Sequence, residues 1–181
     1  MHPPLTPRTT SALTAAAVVL LALAGLPAAA ADSPQPTAVK IAVFEFELED
    51  LSPAAVLQDK TTSSAATMDK VSSAARRELA QSGRYDIVDV TNVDAAAAKG
   101  KSLRDCDGCE AGIALHAGAE QSLIGLVRRV TQTDYYVVIR IRDARTGKIL
   151  DQEEANFAGS EEGWASGVRM LIRHQVLPAK E

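Results

Sequence analysis

Ile41-Ala-Val-Phe-Glu-Phe-Glu-Leu48 is the stretch on which the fold turns. Its first four residues are apolar on both faces, as in a central strand covered on both sides of a sheet. Ser52-Pro53 then marks a turn. From about Thr62 to Gln81, Met68, Val71, Ala75 and Leu79 recur at spacings of three and four with Arg76, Arg77 and Glu78 between them, which predicts one amphipathic helix. Ser82-Gly83 stops it, and Tyr85-Asp-Ile-Val-Asp-Val90 is the next strand. A β-α-β unit of this length implies parallel pairing with a right-handed crossover.

Downstream, a polar stretch with a short alanine-rich helix near residues 94–98 leads to Cys106. Ala111 to Ala117 reads as a helix that Gly118 caps, and a strand runs from Gln121 to about Thr131. In the next strand, Tyr135, Val137, Ile139 and Ile141 face one way and Arg140 and Arg142 the other, so one face is buried and one wet. Ala144-Arg-Thr-Gly147 closes a hairpin and Lys148 to Phe157 returns, a register that sets Arg140 opposite Asp151 if Asp143 opposes Lys148. Ser160 stands as N-cap of a last helix with Glu161 and Glu162 in its first turn. Trp164, Val168, Leu171, Ile172 and Val176 form that helix's buried stripe, with Trp164 packed near Phe157 or the strand that begins at Tyr135. The order β-α-β-α-β-β-β-α predicts a single α/β (α+β) domain over residues 39–178, with a mixed sheet of about five strands and helices packed on it.

Upstream lies an address. Arg8 is followed by the uncharged run from Leu13 to Gly25, then Pro27 and the small residues Ala28 to Ala31: the n-region, h-region and cleavage site of a signal peptide over residues 1–31. The apolar core is shorter than the roughly 20 residues a membrane span needs, so the exported chain is expected to be periplasmic, with no stable membrane insertion after cleavage. Residues 32–38, with two prolines and no periodicity, predict a flexible leader. Loss of residues 1–31 removes one cation and no acid, taking the net charge from −4 to −5. An acidic exported domain lacks the concentrated cationic footprint that nucleic acid requires.

Four blocks, "IAVFEFELEDLS", "LAQSGRYDIVDV", "CDGCEAGIALHAGAEQSLIGLVRRV" and "IRDARTGKILDQEEANFAGSEEGWASGVRMLI", resemble in that order an exported bacterial family known as a domain of unknown function, over about Val39 to Leu177. More widely, "KIAVFEFE", "RYDIVDV" and "IRIRDARTGKIL" look like the N-terminal domain of TolB and the periplasmic α/β domain of the curli secretion channel. The resemblance implies envelope assembly and protein binding and not catalysis, an analogy at the level of fold. Glu45 and Glu161-Glu162-Gly163 depart from that pattern, where an aspartate and a Thr-, Asp- or Ser-rich cap are expected.

Cys106 and Cys109 are the most informative chemical feature. An even cysteine count in an exported protein favours a disulfide. The alternatives are a thiol-redox centre, which lacks the facing proline of a thioredoxin-like site, and a metal site, which needs further ligands such as His116 with Asp105 or Asp107. Glu45, Glu47, Glu49 and Asp50 stand at the end of the first strand, where open α/β sheets bind ligands. They read as an interaction or ligand edge together with Trp164, against the plainer reading of a solvated strand end. Arg128, Arg129, Arg140, Arg142 and Arg145 read as the wet face of a sheet rather than an anion surface. Phosphate loops and nucleophile elbows are absent from the sequence. The expectation is therefore a non-enzymatic envelope accessory without a cofactor, whose partner is an unidentified envelope protein. The alternative is a small redox or metal-handling protein built on Cys106 and Cys109.

Overall fold

A strand that is apolar on both faces must be covered on both sides, and the first strand is. A computed structural model describes residues 37–56, 63–90 and 102–178, all within one compact unit spanning 35–181. The expected signal peptide, the leader up to residue 36 and the short helix near residues 94–98 lie outside the described residues. The elements are β1 (Val39–Val43), β2 (Glu47–Asp50), α1 (Ser63–Gln81), β3 (Tyr85–Val88), α2 (Cys109–His116), β4 (Gln121–Arg129), β5 (Asp134–Asp143), β6 (Ile149–Ala158) and α3 (Trp164–Leu171), which continues as a π-helical turn over Ile172–Val176. The sheet order is β3-β1-β4-β5-β6, with β2 also paired to β4. β1 runs parallel to β3 and β4, as the β-α-β reading requires, and β4, β5 and β6 are antiparallel neighbours.

Two apolar layers hold the sheet. On one face α1 and α3 cover Ile41, Val43, Leu123, Val127, Val137, Ile139 and Ile141, and the stripe Met68, Val71, Ala75 and Leu79 is buried as its spacing predicts. On the other, α2 and Leu103 cover Ala42, Phe44, Val90 and Ala144. Each large side chain fully buried in such a layer contributes roughly 1.5–3 kcal/mol.

The single first strand of the sequence reading is two strands. In an unbroken strand Phe44 and Phe46 would share a face; here Phe44 joins the layer under α2 and Phe46 the layer under α1. The interruption at residues 44–46 is held by Phe44 N–H donating to Leu123 O (3.0 Å) and Phe46 N–H donating to the Ser72 hydroxyl (2.8 Å), so neither buried phenylalanine leaves its amide stranded. Space for the Phe46 ring comes from Gly125 of β4, where a Cβ would lie 2.1 Å from the ring.

Three further expectations are corrected. Arg140 lies opposite Gln152, not Asp151, because the ladder slips between Ile141 and Arg142 and skips Leu150; Arg140 donates to the Gln152 amide oxygen (2.8 Å). Arg142 is not on a wet face but buried beneath α2. Ser160 makes no capping bond to the backbone; its hydroxyl pairs with Glu162, and Glu161–Gly163 form a 3-10 turn ahead of α3.

Candidate functional site

The acids after β1 end up where the parallel strands finish, but each has a cation. In the β2–β4 register Glu49 stands beside Arg128 and Asp50 beside Arg129, and both couples close as ion pairs (2.5 and 3.1 Å). Arg129 also reaches Glu161 (2.8 Å), which accepts from the Thr67 hydroxyl (2.6 Å). One guanidinium thereby ties β2, β4 and the turn before α3, and Glu161 ties in α1. It also lies over the Trp164 ring at 4.7 Å, a cation–π contact. Glu45 sits in the break between β1 and β2 and pairs with Arg76 of α1 (2.8 Å), which donates to Val43 O as well. Glu47 accepts from Leu103 N–H (2.6 Å), from the Ser102 hydroxyl and from Arg104 (3.3 Å). Glu47 and Glu49 lie within β2 and Glu45 in the break before it, yet Glu45 and Glu47 still line one concavity. What the arrangement does is pin loops: these carboxylates are already balanced by arginines, which leaves little charge to hold a cation.

Trp164 is 1 % exposed and packs its ring 6.0 Å from that of Tyr135, which stacks on Phe157 (5.6 Å). This removes it from the interaction edge: a ring with no accessible surface cannot anchor a partner. The Tyr135 hydroxyl donates to Gly163 O (3.1 Å), and burial pushes its pKa up.

Cys106 and Cys109 lie at disulfide distance across a tight loop, with Cα atoms 5.5 Å apart. Asp107 (φ +48°) and Gly108 (φ +99°) both take left-handed backbone between them, which Gly108 adopts without penalty. Cys109 is exposed in the first turn of α2, and Cys106 is half-buried beside Glu110 (Sγ to Oε2 3.8 Å). Glu110 is itself 1 % exposed and its carboxylate meets Arg142 Nε at 2.8 Å, while Arg142 donates to Gly147 O (2.9 Å). The sulfur loop, α2 and the β5–β6 hairpin therefore converge on one buried ion pair. Ligand atoms of Cys106, Cys109 and Glu110 lie within 4.8 Å of one another. Neither His116, at the far end of α2, nor Asp105, which pairs with Arg104, joins them. A metal there would have to compete with Arg142 for Glu110.

Concavities lined by described residues lie in two further places. A cleft of about 310 Å³ between α1 and the turn before α3 is lined by Thr67, Lys70, Val71, Glu161, Glu162 and Ala165. A smaller one of about 60 Å³ is lined by the apolar Ile124, Leu126 and Val138 and by the charged Glu45, Glu47, Arg104 and Arg140. In the first, the Thr67 hydroxyl is held by Glu161, which Arg129 holds in turn.

The residues that sequence reasoning missed are Glu110 with Arg142, Arg76, and Glu161 as a tertiary ligand of Arg129. Glu110 and Arg142 are 32 positions apart and sit in elements joined only by packing. No spacing rule links them.

The chain belongs to the family described as "Protein of unknown function (DUF2380)", which it matches over residues 39–176. No curated protein matches it. Among solved structures it is similar to the C-terminal domain of LpoB from Salmonella enterica (17 % identity, 69 % of this chain and 85 % of that one, TM-score 0.46). It is also similar to lipoprotein GNA1162 from Neisseria meningitidis (14 %, 81 % and 100 %, 0.47) and to TolB from Acinetobacter baumannii (18 %, 78 % and 29 %, 0.43).

Proposed function

We propose that this member of the family is an exported, non-enzymatic interaction module of the cell envelope that works in the periplasm by binding another envelope protein. The observation that carries the reading is how the charged end of the sheet is used. Where α/β sheets commonly bind small ligands, Glu45, Glu47, Glu49 and Asp50 are each committed to an arginine or a backbone donor. Residues 1–31 supply the reason to place it outside the cytoplasm, and among the described residues no helix is long and apolar enough to cross a membrane. On this reading Cys106 and Cys109 form a local, structural disulfide that closes the tight loop ahead of α2, and the chain carries no cofactor.

The test is crosslinking in intact cells with a photoreactive residue at exposed sheet positions such as Glu154, followed by mass spectrometry. A reproducible envelope partner whose crosslinks map to this domain is expected; absence of any partner across such positions overturns the reading. Cytoplasmic recovery of uncleaved chain overturns the export half.

A second reading has one observation in its favour: the 4.8 Å cluster of Cys106, Cys109 and Glu110 would suit a small thiol-redox or metal-handling protein. Metal analysis of protein purified without chelator separates the two, since one bound equivalent that disappears in Cys109→Ser promotes it.

A further inference from the structure

We infer that the small concavity on the sheet face beyond α2 anchors one aliphatic side chain of the partner, a leucine or valine that stands next to a glutamate or aspartate. The inference rests on the interaction-module reading and names the surface and the chemistry of the partner.

The two faces of the sheet are unequally covered. α1, with 19 residues, lies with α3 across one face. On the other, the eight residues of α2 make a helix about 12 Å long, against about 33 Å for the ten residues of β5. α2 hides Ala42, Phe44 and Ala144. Past it, Ile124, Leu126 and Val138 are only half-buried. They share that face because Ile124 opposes Arg140 and Leu126 opposes Val138 across β4 and β5, and residues two apart along a strand point the same way. The recess they line, about 60 Å³, is the share of roughly two waters in the liquid. It seats the paired methyl groups of one valine or leucine and is too small for an aromatic ring.

The charges around the recess decide what stands beside that side chain. Glu45 is taken by Arg76 (2.8 Å). Glu47 is taken by Leu103 N–H, the Ser102 hydroxyl and Arg104. Arg140 meets no carboxylate among the described residues: its Nε donates to the Gln152 amide oxygen (2.8 Å), a neutral group. Only one of the five donors of its guanidinium is thereby used, at the border of an apolar recess. Glu154, opposite Val138 on β6, stands outside the lining. A carboxylate closes on the fork of a guanidinium through two parallel bonds, so an acidic residue next to the seated leucine or valine satisfies Arg140. A lysine in its place would meet Arg140 and Arg104 as like charges.

The experiment titrates the purified chain, followed by NMR, with peptides blocked at both ends: glutamate–leucine–glutamate as probe, lysine–leucine–lysine and glutamate–glycine–glutamate as counterparts. The probe should shift the methyl signals of Ile124, Leu126 and Val138 and the Nε–H signal of Arg140, and neither counterpart should. Arg140→Gln removes the fork and keeps the apolar floor; it should raise the Kd of the probe at least about tenfold, with Tm within a few degrees because the side chain bonds only to Gln152. Arg140→Glu should reverse the preference, so that the lysine–leucine–lysine peptide binds instead. The three peptides on the native chain decide the question even where a variant at position 140 folds poorly. Equal shifts from the lysine–leucine–lysine peptide, shifts centred on other residues, or an unchanged Kd in Arg140→Gln overturns the inference. So does binding that appears only when the peptide's C-terminal carboxylate is left free. Crosslinks in cells to an envelope protein that map away from this face would overturn it while leaving the interaction-module reading intact.

Discussion

Gly125→Ala tests the most specific packing relation in this fold. An added Cβ would stand 2.1, 2.2 and 2.4 Å from three carbons of the Phe46 ring, against ordinary contact near 3.5–4.0 Å. The ring must move by more than 1 Å, and it is 3 % exposed among Val71, Leu123 and Val127 with its own N–H fixed by Ser72. Overpacking of this kind costs about 1–3 kcal/mol, and partial expulsion of a phenylalanine adds a share of its roughly 1.5–3 kcal/mol of burial. We expect a loss of about 3 kcal/mol, or a Tm lower by roughly 6–12 °C for a domain of this size. Urea denaturation of the four members of a double-mutant cycle with Phe46→Ala checks the reasoning. With the ring gone the alanine at 125 should cost almost nothing, so the couple should show an interaction energy of about 2–3 kcal/mol. A loss in Gly125→Ala below about 0.5 kcal/mol, or additive costs in the cycle, would refute it.

Trp164→Ala should cost about 3–5 kcal/mol by calorimetry, and the native tryptophan emission should be blue-shifted, since the ring is sealed between Tyr135 and Arg129. Glu110→Ala, which strands the buried Arg142, should cost about 3–5 kcal/mol, whereas Glu45→Ala, at a half-exposed pair, should cost under about 1 kcal/mol; equal costs in urea titrations would contradict the burial argument. Replacing Cys106 and Cys109 by serine should cost about 2 kcal/mol from lost loop constraint without abolishing the fold, and intact mass of the exported protein should show two hydrogens fewer than the reduced chain. The Asp143 carboxyl accepts from the Thr146 hydroxyl and N–H and from Arg145 N–H, and these bonds hold its pKa below the usual range. Because the folded value is the lower one, the hairpin gains stability above the unfolded pKa of about 3.9 and loses it as pH falls through the folded one; Asp143→Asn should flatten that acid limb in a pH series of Tm.

What the sequence by itself determined is what depends on neighbours along the chain. Apolar spacing located α1, since Met68, Val71, Ala75 and Leu79 meet the sheet whatever the strand order. Alternation in Tyr135 to Ile141 assigned the buried face of β5, and the order of strand and helix signals implied a mixed sheet with a parallel β-α-β start. The CxxC spacing allowed a bridge between Cys106 and Cys109 because so few bonds separate them. Tertiary structure alone decided the rest. The break at residues 44–46 carries no turn signal; it exists because Gly125 on another strand leaves room for Phe46 and Ser72 on a helix satisfies its amide. The slip at Leu150 likewise set Arg140 against Gln152. Arg142 obeys the alternation that would make it wet, yet α2 packs over it and Glu110 supplies the charge that lets it stay buried. Ion-pair partners and edge status are set by which strands lie side by side, a long-range property that local periodicity does not encode.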